Sequence, residues 1–118
     1  MTGHGDEHGI ASVAGSDERL VVRLAGELSH GRSAATQAEL VQLLAQRKPR
    51  TLVLNLAEVT YMDSSGIALL LVARRRLGTQ PGAVTLVGLS EALRGLLRAV
   101  KIETLFPMAD TEEAADVR

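Results

Sequence analysis

The sequence has no cysteine and no tryptophan, and its 118 residues include one tyrosine, Tyr61, and one phenylalanine, Phe106. Without cysteine there is no disulfide, no thiol nucleophile and no thiolate metal ligand. A small chain that dispenses with disulfides fits a reducing compartment. With so few aromatics, any core must be assembled from Leu, Val, Ile and Ala. Hydrophobic residues make up 46% of the chain, enough for one globular domain. An excess of charge of one sign is also missing, since 13 Lys and Arg stand against 14 Asp and Glu. So balanced a chain is expected to engage neither nucleic acid nor, through a polybasic anchor, a membrane. The longest apolar run, Ile67 to Ala73, falls far short of the roughly 20 residues that a membrane-spanning helix requires. Residues 1–9 are polar and rich in Gly and His, with none of the apolar stretch of a secretory signal. They read as a disordered tail ahead of a single domain over residues 10–118, and the cytoplasm is the expected location.

Catalytic apparatus is scarce as well. Nucleophilic catalysis needs a base beside the nucleophile. The three histidines are His4 and His8 in the tail and His30 in a loop. The tail histidines, with Asp6 and Glu7, read as a solvated segment and not as a metal site. No glycine pattern matches a phosphate-binding or dinucleotide-binding loop. The expectation is a protein that is not an enzyme and holds no cofactor and no metal.

The apolar residues that are present follow alternating periods. Ile10 to Ala14 reads as a weak strand, and Gly15-Ser16-Asp17-Glu18 as a turn. From Arg19 to Ala25, Leu20, Val22 and Leu24 point one way and Arg19, Val21 and Arg23 the other, which completes a hairpin with one covered face. Gly26 to Arg32 reads as a loop. Ser33 to Gln46 carries Ala34, Gln37, Leu40, Val41 and Leu44 at helical spacing, and Arg47, Lys48 and Pro49 close that helix. Thr51 to Leu56 is a β-prone strand, and Ala57 to Asp63 a connection. Ser64 to Leu77 predicts a second helix, apolar nearly all round and therefore buried, ending at Gly78. Thr79 to Gly82 is a turn, Ala83 to Val87 a strand, and Ser90 to Val100 a helix with Leu93, Leu96, Leu97 and Val100 on one side. Thr104 to Phe106 reads as a short edge strand before Pro107. Asp110-Thr111-Glu112-Glu113 has the spacing of a capping box opening a last helix. Strands alternating with helices predict an α/β fold. Its sheet is mixed and mostly parallel, with four to five strands and about four helices packed mainly on one face.

The unusual segment is Val59-Thr60-Tyr61-Met62-Asp63-Ser64-Ser65-Gly66. Asp63 or Ser64 is placed to cap the second helix. The serines then lie in its first turn, among free backbone N–H groups and at the positive end of the dipole. A phosphate there is locally tolerated, and it adds about −1.5 to −2 charges to a neutral surface. Ordinary capping accounts for the same four residues.

Leu52-Val53-Leu54-Asn55-Leu56, followed by Val59 through Ile67 and by Leu70-Leu71, resembles the STAS domain. More narrowly it is similar to the anti-sigma factor antagonists of bacteria. Leu24-Ala25-Gly26-Glu27-Leu28 resembles the family's second strand and following loop, and Leu93 to Pro107 its C-terminal helix and last strand. The resemblance spans residues 10 to 116. It implies a protein that binds an anti-sigma factor, a serine kinase of the GHKL type, while unphosphorylated. Phosphorylation by that kinase releases it, a phosphatase resets it, and sigma-dependent transcription follows the switch. By position the phosphoacceptor is Ser64, with Ser65 structural, Asp63 holding the loop and Gly66 allowing close approach. The implied partner surface comprises Asp63, Ser64, Ser65, Gly66, Ser29 and His30. Many members carry an aspartate after Gly-Glu-Leu; here Ser29 and then His30 follow, and a negative charge beside the site is missing. STAS domains also serve as stand-alone subunits of lipid or anion transport systems, which is the alternative. A monomer or weak homodimer is expected.

Overall fold

The computed structural model describes residues 9–78, 80 and 82–116. Except for Gly9, the expected tail lies outside the described residues, as do Thr79 and Pro81 of the predicted turn. The first strand, β1 (Gly9–Gly15), pairs antiparallel with β2 (Arg19–Leu28) through a tight turn at Ser16. In that turn the Ser16 hydroxyl accepts from the Glu18 and Arg19 amides at 3.2 and 3.3 Å. Then follow α1 (Ser33–Arg47), β3 (Thr51–Met62), α2 (Ser64–Leu77), β4 (Val84–Val87), α3 (Glu91–Ala99), β5 (Met108–Ala109) and α4 (Glu112–Asp116). The five strands lie in sequence order in one sheet, parallel from β2 onward. Each parallel pair requires a crossover, and α1, α2 and α3 provide them.

The covered face is aliphatic, as the composition requires. Leu20, Val22 and Leu24 of β2, Leu52, Leu54 and Leu56 of β3 and Leu86 of β4 are sealed from solvent. They pack against Leu40 of α1, Leu69 and Leu70 of α2 and Leu97 of α3. Each fully buried Leu or Val stabilises the fold by about 1.5–3 kcal/mol relative to exposure.

The opposite face holds a smaller cluster of Val21, Val53, Val87 and Ala115, roofed by α4. That roof explains the two arginines that alternate with Val21. Arg23 donates from Nε and a terminal nitrogen to the two Glu112 carboxylate oxygens at 2.7 and 2.8 Å. Asn55 donates to the same carboxylate at 2.7 Å, and Arg19 to the Glu112 carbonyl at 2.7 Å. The Arg23 and Asn55 hydrogen bonds hold the Glu112 carboxyl down at about 2, against an ordinary value of 4.5. A lowered carboxyl stabilises the fold above its ordinary value and loses that contribution as pH falls toward 2. Arg23 is 40% exposed, so solvent screening limits the effect to about 2 kcal/mol. Glu112→Ala is expected to cost that much at pH 7 in urea denaturation, with the difference from the unsubstituted chain fading between pH 4.5 and pH 2.

Several boundaries differ from the sequence reading. β3 does not end at Leu56 but runs to Met62, and β2 continues through Gly26 to Leu28. The two strands pair beyond the reach of β4 as a two-stranded arm, Ala25↔Glu58 to Leu28↔Met62, with two register shifts. Those shifts place Leu56, Val59 and Met62, three residues apart, on the buried side, so the segment does not alternate like a regular strand. The predicted edge strand at Thr104 to Phe106 is instead a 3₁₀ turn over Glu103–Leu105, and the strand follows the proline. Pro107, which has no N–H, joins the sheet as an acceptor, taking the Leu86 amide at 2.9 Å. Asp110 is not the last helix cap: the Thr111 hydroxyl accepts the Ala114 amide at 3.1 Å, while Asp110 faces Arg94 at 3.4 Å.

The buried stripe of α1 is Ser33, Thr36, Leu40 and Leu44, rotated from the expected one, and Ala34 is exposed. The Thr36 hydroxyl bonds back toward the Arg32 carbonyl at 3.5 Å, which lets a polar residue be buried under β1. α2 is not buried on all sides, because Ala68 faces solvent and Leu71 and Val72 are half-buried. Leu93 and Leu97 of α3 are buried, but Val100, just past its end, is 46% exposed.

Candidate functional site

The arm formed by β2 and β3 brings two chain segments side by side. Leu28 pairs with Met62, and the Asp63 amide donates to the Leu28 carbonyl at 3.3 Å. Just beyond, the chain turns into α1 at Ser29 and into α2 at Asp63. The Ser29 carbonyl accepts the Arg32 and Ser33 amides, each at 2.9 Å, and so closes the turn that starts α1.

Asp63 is the cap of α2, in extended conformation. One carboxylate oxygen accepts the Ser65 amide at 2.8 Å, satisfying a helix-end donor. The other accepts the His30 amide at 3.1 Å. A single side chain thus ties the two loops together. The backbone hydrogen bond from His30, and then that from Ser65, lowers the Asp63 carboxyl below the usual range. Asp63→Ala is expected to lower the thermal midpoint and free the His30 loop. Asp63→Asn, which keeps a capping oxygen, is expected to restore most of both. Thermal denaturation and amide exchange at His30 check this.

The two serines differ. Ser64, the first residue of α2, is exposed, and its hydroxyl has no partner among the described residues. Ser65 is half-buried, and its backbone amide is held by the Asp63 carboxylate. Gly66 is buried against the arm: a Cβ there would meet Met62 Cγ, the Leu28 carbonyl oxygen at 2.7 Å and Leu28 Cβ at 3.0 Å. Of the six residues singled out in the sequence, hydrogen bonds join Asp63, Ser65 and His30, and Ser29, Ser64 and Gly66 are their chain neighbours.

Sequence reasoning missed the surroundings. An open hollow of about 370 Å³ lies beside the loop, lined by His30, Gly31, Ser33, Ala34, Gln37, Ser65 and Ala68. Ala34 and Gln37, at the spacing of the predicted apolar stripe, line this hollow instead. Tyr61, 53% exposed, stands on the arm three residues ahead of Ser64. An exposed aromatic in a chain with two aromatics was the available signal. Among the described residues no group of three or more His, Asp or Glu is placed to hold a metal, and no helix is long and apolar enough to cross a membrane.

The family model for the STAS domain matches residues 11–115. The chain belongs to the STAS domain family. Within that family it groups with the anti-sigma factor antagonists. It is 30% identical over 99 residues to an anti-sigma F factor antagonist from Lysinibacillus sphaericus, covering 84% of this chain and 85% of the relative. Two solved structures of SpoIIAA are similar. The unphosphorylated form is 29% identical with a TM-score of 0.65, covering 88% of this chain and 92% of that one. The phosphorylated form, described as a Bacillus cell fate determinant, is 28% identical with a TM-score of 0.66, covering 88% and 94%. The expected STAS-like fold, with a mixed sheet and helices mainly on one face, is the fold observed.

Proposed function

We propose that this chain is an anti-sigma factor antagonist, a regulatory binding protein and not an enzyme, whose switch is Ser64. Unphosphorylated, it binds an anti-sigma factor of the GHKL serine-kinase type and frees a sigma factor. Phosphorylation of Ser64 by that kinase ends the complex, and a phosphatase restores it. The observation that carries the reading is the contrast between the serines. Ser64 is exposed with an unengaged hydroxyl at a helix start, while Ser65 is half-buried with its backbone amide held by Asp63. Of the two, Ser64 is the more open to a kinase. The start of α2 tolerates the phosphate through its free amides and dipole, so the added charge acts on the partner and not on the fold. A similar protein exists in unphosphorylated and phosphorylated forms.

The partner surface is Asp63, Ser64, Ser65, Gly66, Ser29 and His30, and Ser29 leaves it without the second carboxylate common in the family. Residues 10–118 make up the working domain, in the cytoplasm, as a monomer or weak homodimer. The curated relatives favour this reading over a stand-alone transport subunit.

The test is displacement. Unphosphorylated protein is added to a preformed complex of a sigma factor with its GHKL-type anti-sigma factor from the same cell, followed by size-exclusion chromatography. Release of the sigma factor near stoichiometric addition is expected. A sigma complex that persists in excess antagonist overturns the reading.

A further inference from the structure

The residues of the proposed partner surface, Asp63, Ser64, Ser65, Gly66, Ser29 and His30, are polar or small. They offer hydrogen bonds and close approach but no large apolar group. Asp and Ser are depleted at the buried centre of protein interfaces, where Tyr, Trp, Phe, Met and Arg are enriched. Binding energy concentrates in a few such anchors. A partner docked over Ser64 therefore needs an anchor nearby.

Among the described residues, four large hydrophobic side chains are exposed: Val13, Tyr61, Val100 and Leu105. Val13 pairs with Val22, itself beside Leu54, so it lies roughly 20 Å down the sheet from Tyr61 at ordinary strand spacing. β4 and β5 are parallel, so α3 crosses back between them, and Val100 and Leu105 lie toward the pole opposite Ser64. Tyr61 is three residues from Ser64, hence within about 11 Å of it between Cα atoms. An ordinary interface covers about 800 Å² per partner, a disc of about 16 Å radius. A footprint centred on Ser64 reaches Tyr61 and none of the other three.

The arm holds this residue outward. Glu27 is the register partner of Tyr61, and Leu28 that of Met62. Glu27 and Tyr61 are exposed, while Leu28 and Met62 are buried. β4 does not extend this far, so no further strand flanks β3 here. The Tyr61 hydroxyl has no hydrogen-bond partner among the described residues. Beside it Glu27 and Arg32 approach to 3.6 Å, an exposed ion pair that forms a polar rim. The other aromatic, Phe106, is 3% exposed and belongs to the core.

We infer that Tyr61 is the apolar anchor of the interface with the anti-sigma factor, an inference that rests on the function proposed above. The ring enters an apolar pocket of the partner, and its hydroxyl stays at the rim. The loop around Ser64 supplies the polar contacts and the switch. Tyr61 thus contributes affinity, and Ser64 makes that affinity conditional.

The test uses the full chain with 3-fluorotyrosine in place of tyrosine. The chain has one tyrosine, so its fluorine NMR spectrum reports Tyr61 alone. Titration with the unlabelled GHKL-type anti-sigma factor of the same cell is expected to move that resonance and to abolish its solvent isotope shift between H₂O and D₂O. In calorimetry, Tyr61→Ala is expected to weaken binding at least about 30-fold, and Tyr61→Phe less than about threefold. Tyr61→Thr, which keeps strand propensity, is expected to match Tyr61→Ala and carries the test if the alanine variant is less stable in urea. Full-strength binding by Tyr61→Ala, or a resonance that stays solvent-exposed in the complex, overturns the inference and leaves the proposed function standing. So does a resonance that moves with the concentration of this chain alone, which would assign the ring to a contact with a second copy. No binding by the unsubstituted chain removes the proposed function and this inference together. Full-strength binding by Ser64→Asp, with Tyr61→Ala weak, counts against the Ser64 switch and supports the anchor.

Discussion

Ser64→Asp is expected to weaken binding to the anti-sigma factor by about 100-fold while leaving the fold at least as stable. The two halves of that result have opposite physical origins. Within the protein, an acid at the first position of α2 meets the positive end of the helix and unsatisfied amides, an interaction worth about 0.3–1 kcal/mol in favour of the fold. Across an interface the same charge must be desolvated against a surface shaped for a neutral hydroxyl. An unpaired or like-charge contact there costs about 2–3 kcal/mol, and each 1.4 kcal/mol is tenfold in affinity. Ser64→Ala is expected to bind like the unsubstituted chain and to stay bound in the presence of ATP. Urea denaturation and calorimetric titration of both variants separate the terms. A Ser64→Asp protein that binds normally would remove Ser64 from the switch.

Gly66→Ala is expected to destabilise the domain by about 1–3 kcal/mol, and Gly66→Val by more, although alanine is the better helix former. The propensity gain is about 1 kcal/mol. Against it stands a Cβ pressed onto Met62 and placed 2.7 Å from the Leu28 carbonyl oxygen. That oxygen cannot retreat, because it belongs to β2 and accepts the Asp63 amide. Helix α2 must therefore slide off the arm, at the cost of overpacking. The slide carries Asp63 and Ser64 with it, so partner binding is expected to fall with stability. A urea midpoint equal to that of the unsubstituted chain would show that the contact between α2 and the arm relaxes freely.

The local geometry around Asp63 was legible in the sequence because it is short-range. Asp63 caps the helix, Ser64 opens it and Gly66 lets it approach, and all three follow from short-range chemistry within four residues. The predicted bounds of α2 are those observed. What failed was set by distant partners. The extension of β3 to Met62 depends on Ala25 to Leu28 continuing alongside it through two register shifts, and no pattern within residues 57–62 encodes that. The choice of Thr111 over Asp110 as a cap depends on Arg94 lying close to Asp110. The use of Arg19 and Arg23 to clamp α4 links residues about ninety positions apart. The sequence places His30 in a loop. Its side chain is exposed, but its backbone amide is the second anchor of Asp63.

The central claim is that one phosphate on Ser64 ends the complex. Its most direct test is to incubate the protein with ATP and the GHKL-type anti-sigma kinase of its own cell. The modification is mapped by intact mass and fragmentation, and the purified phosphoprotein is titrated against the same partner. A single phosphate on Ser64 and an affinity lower by about 100-fold or more are predicted. A phosphate on Ser65 or Ser29, or a Ser64 phosphoprotein that binds as tightly as the unmodified chain, would contradict it.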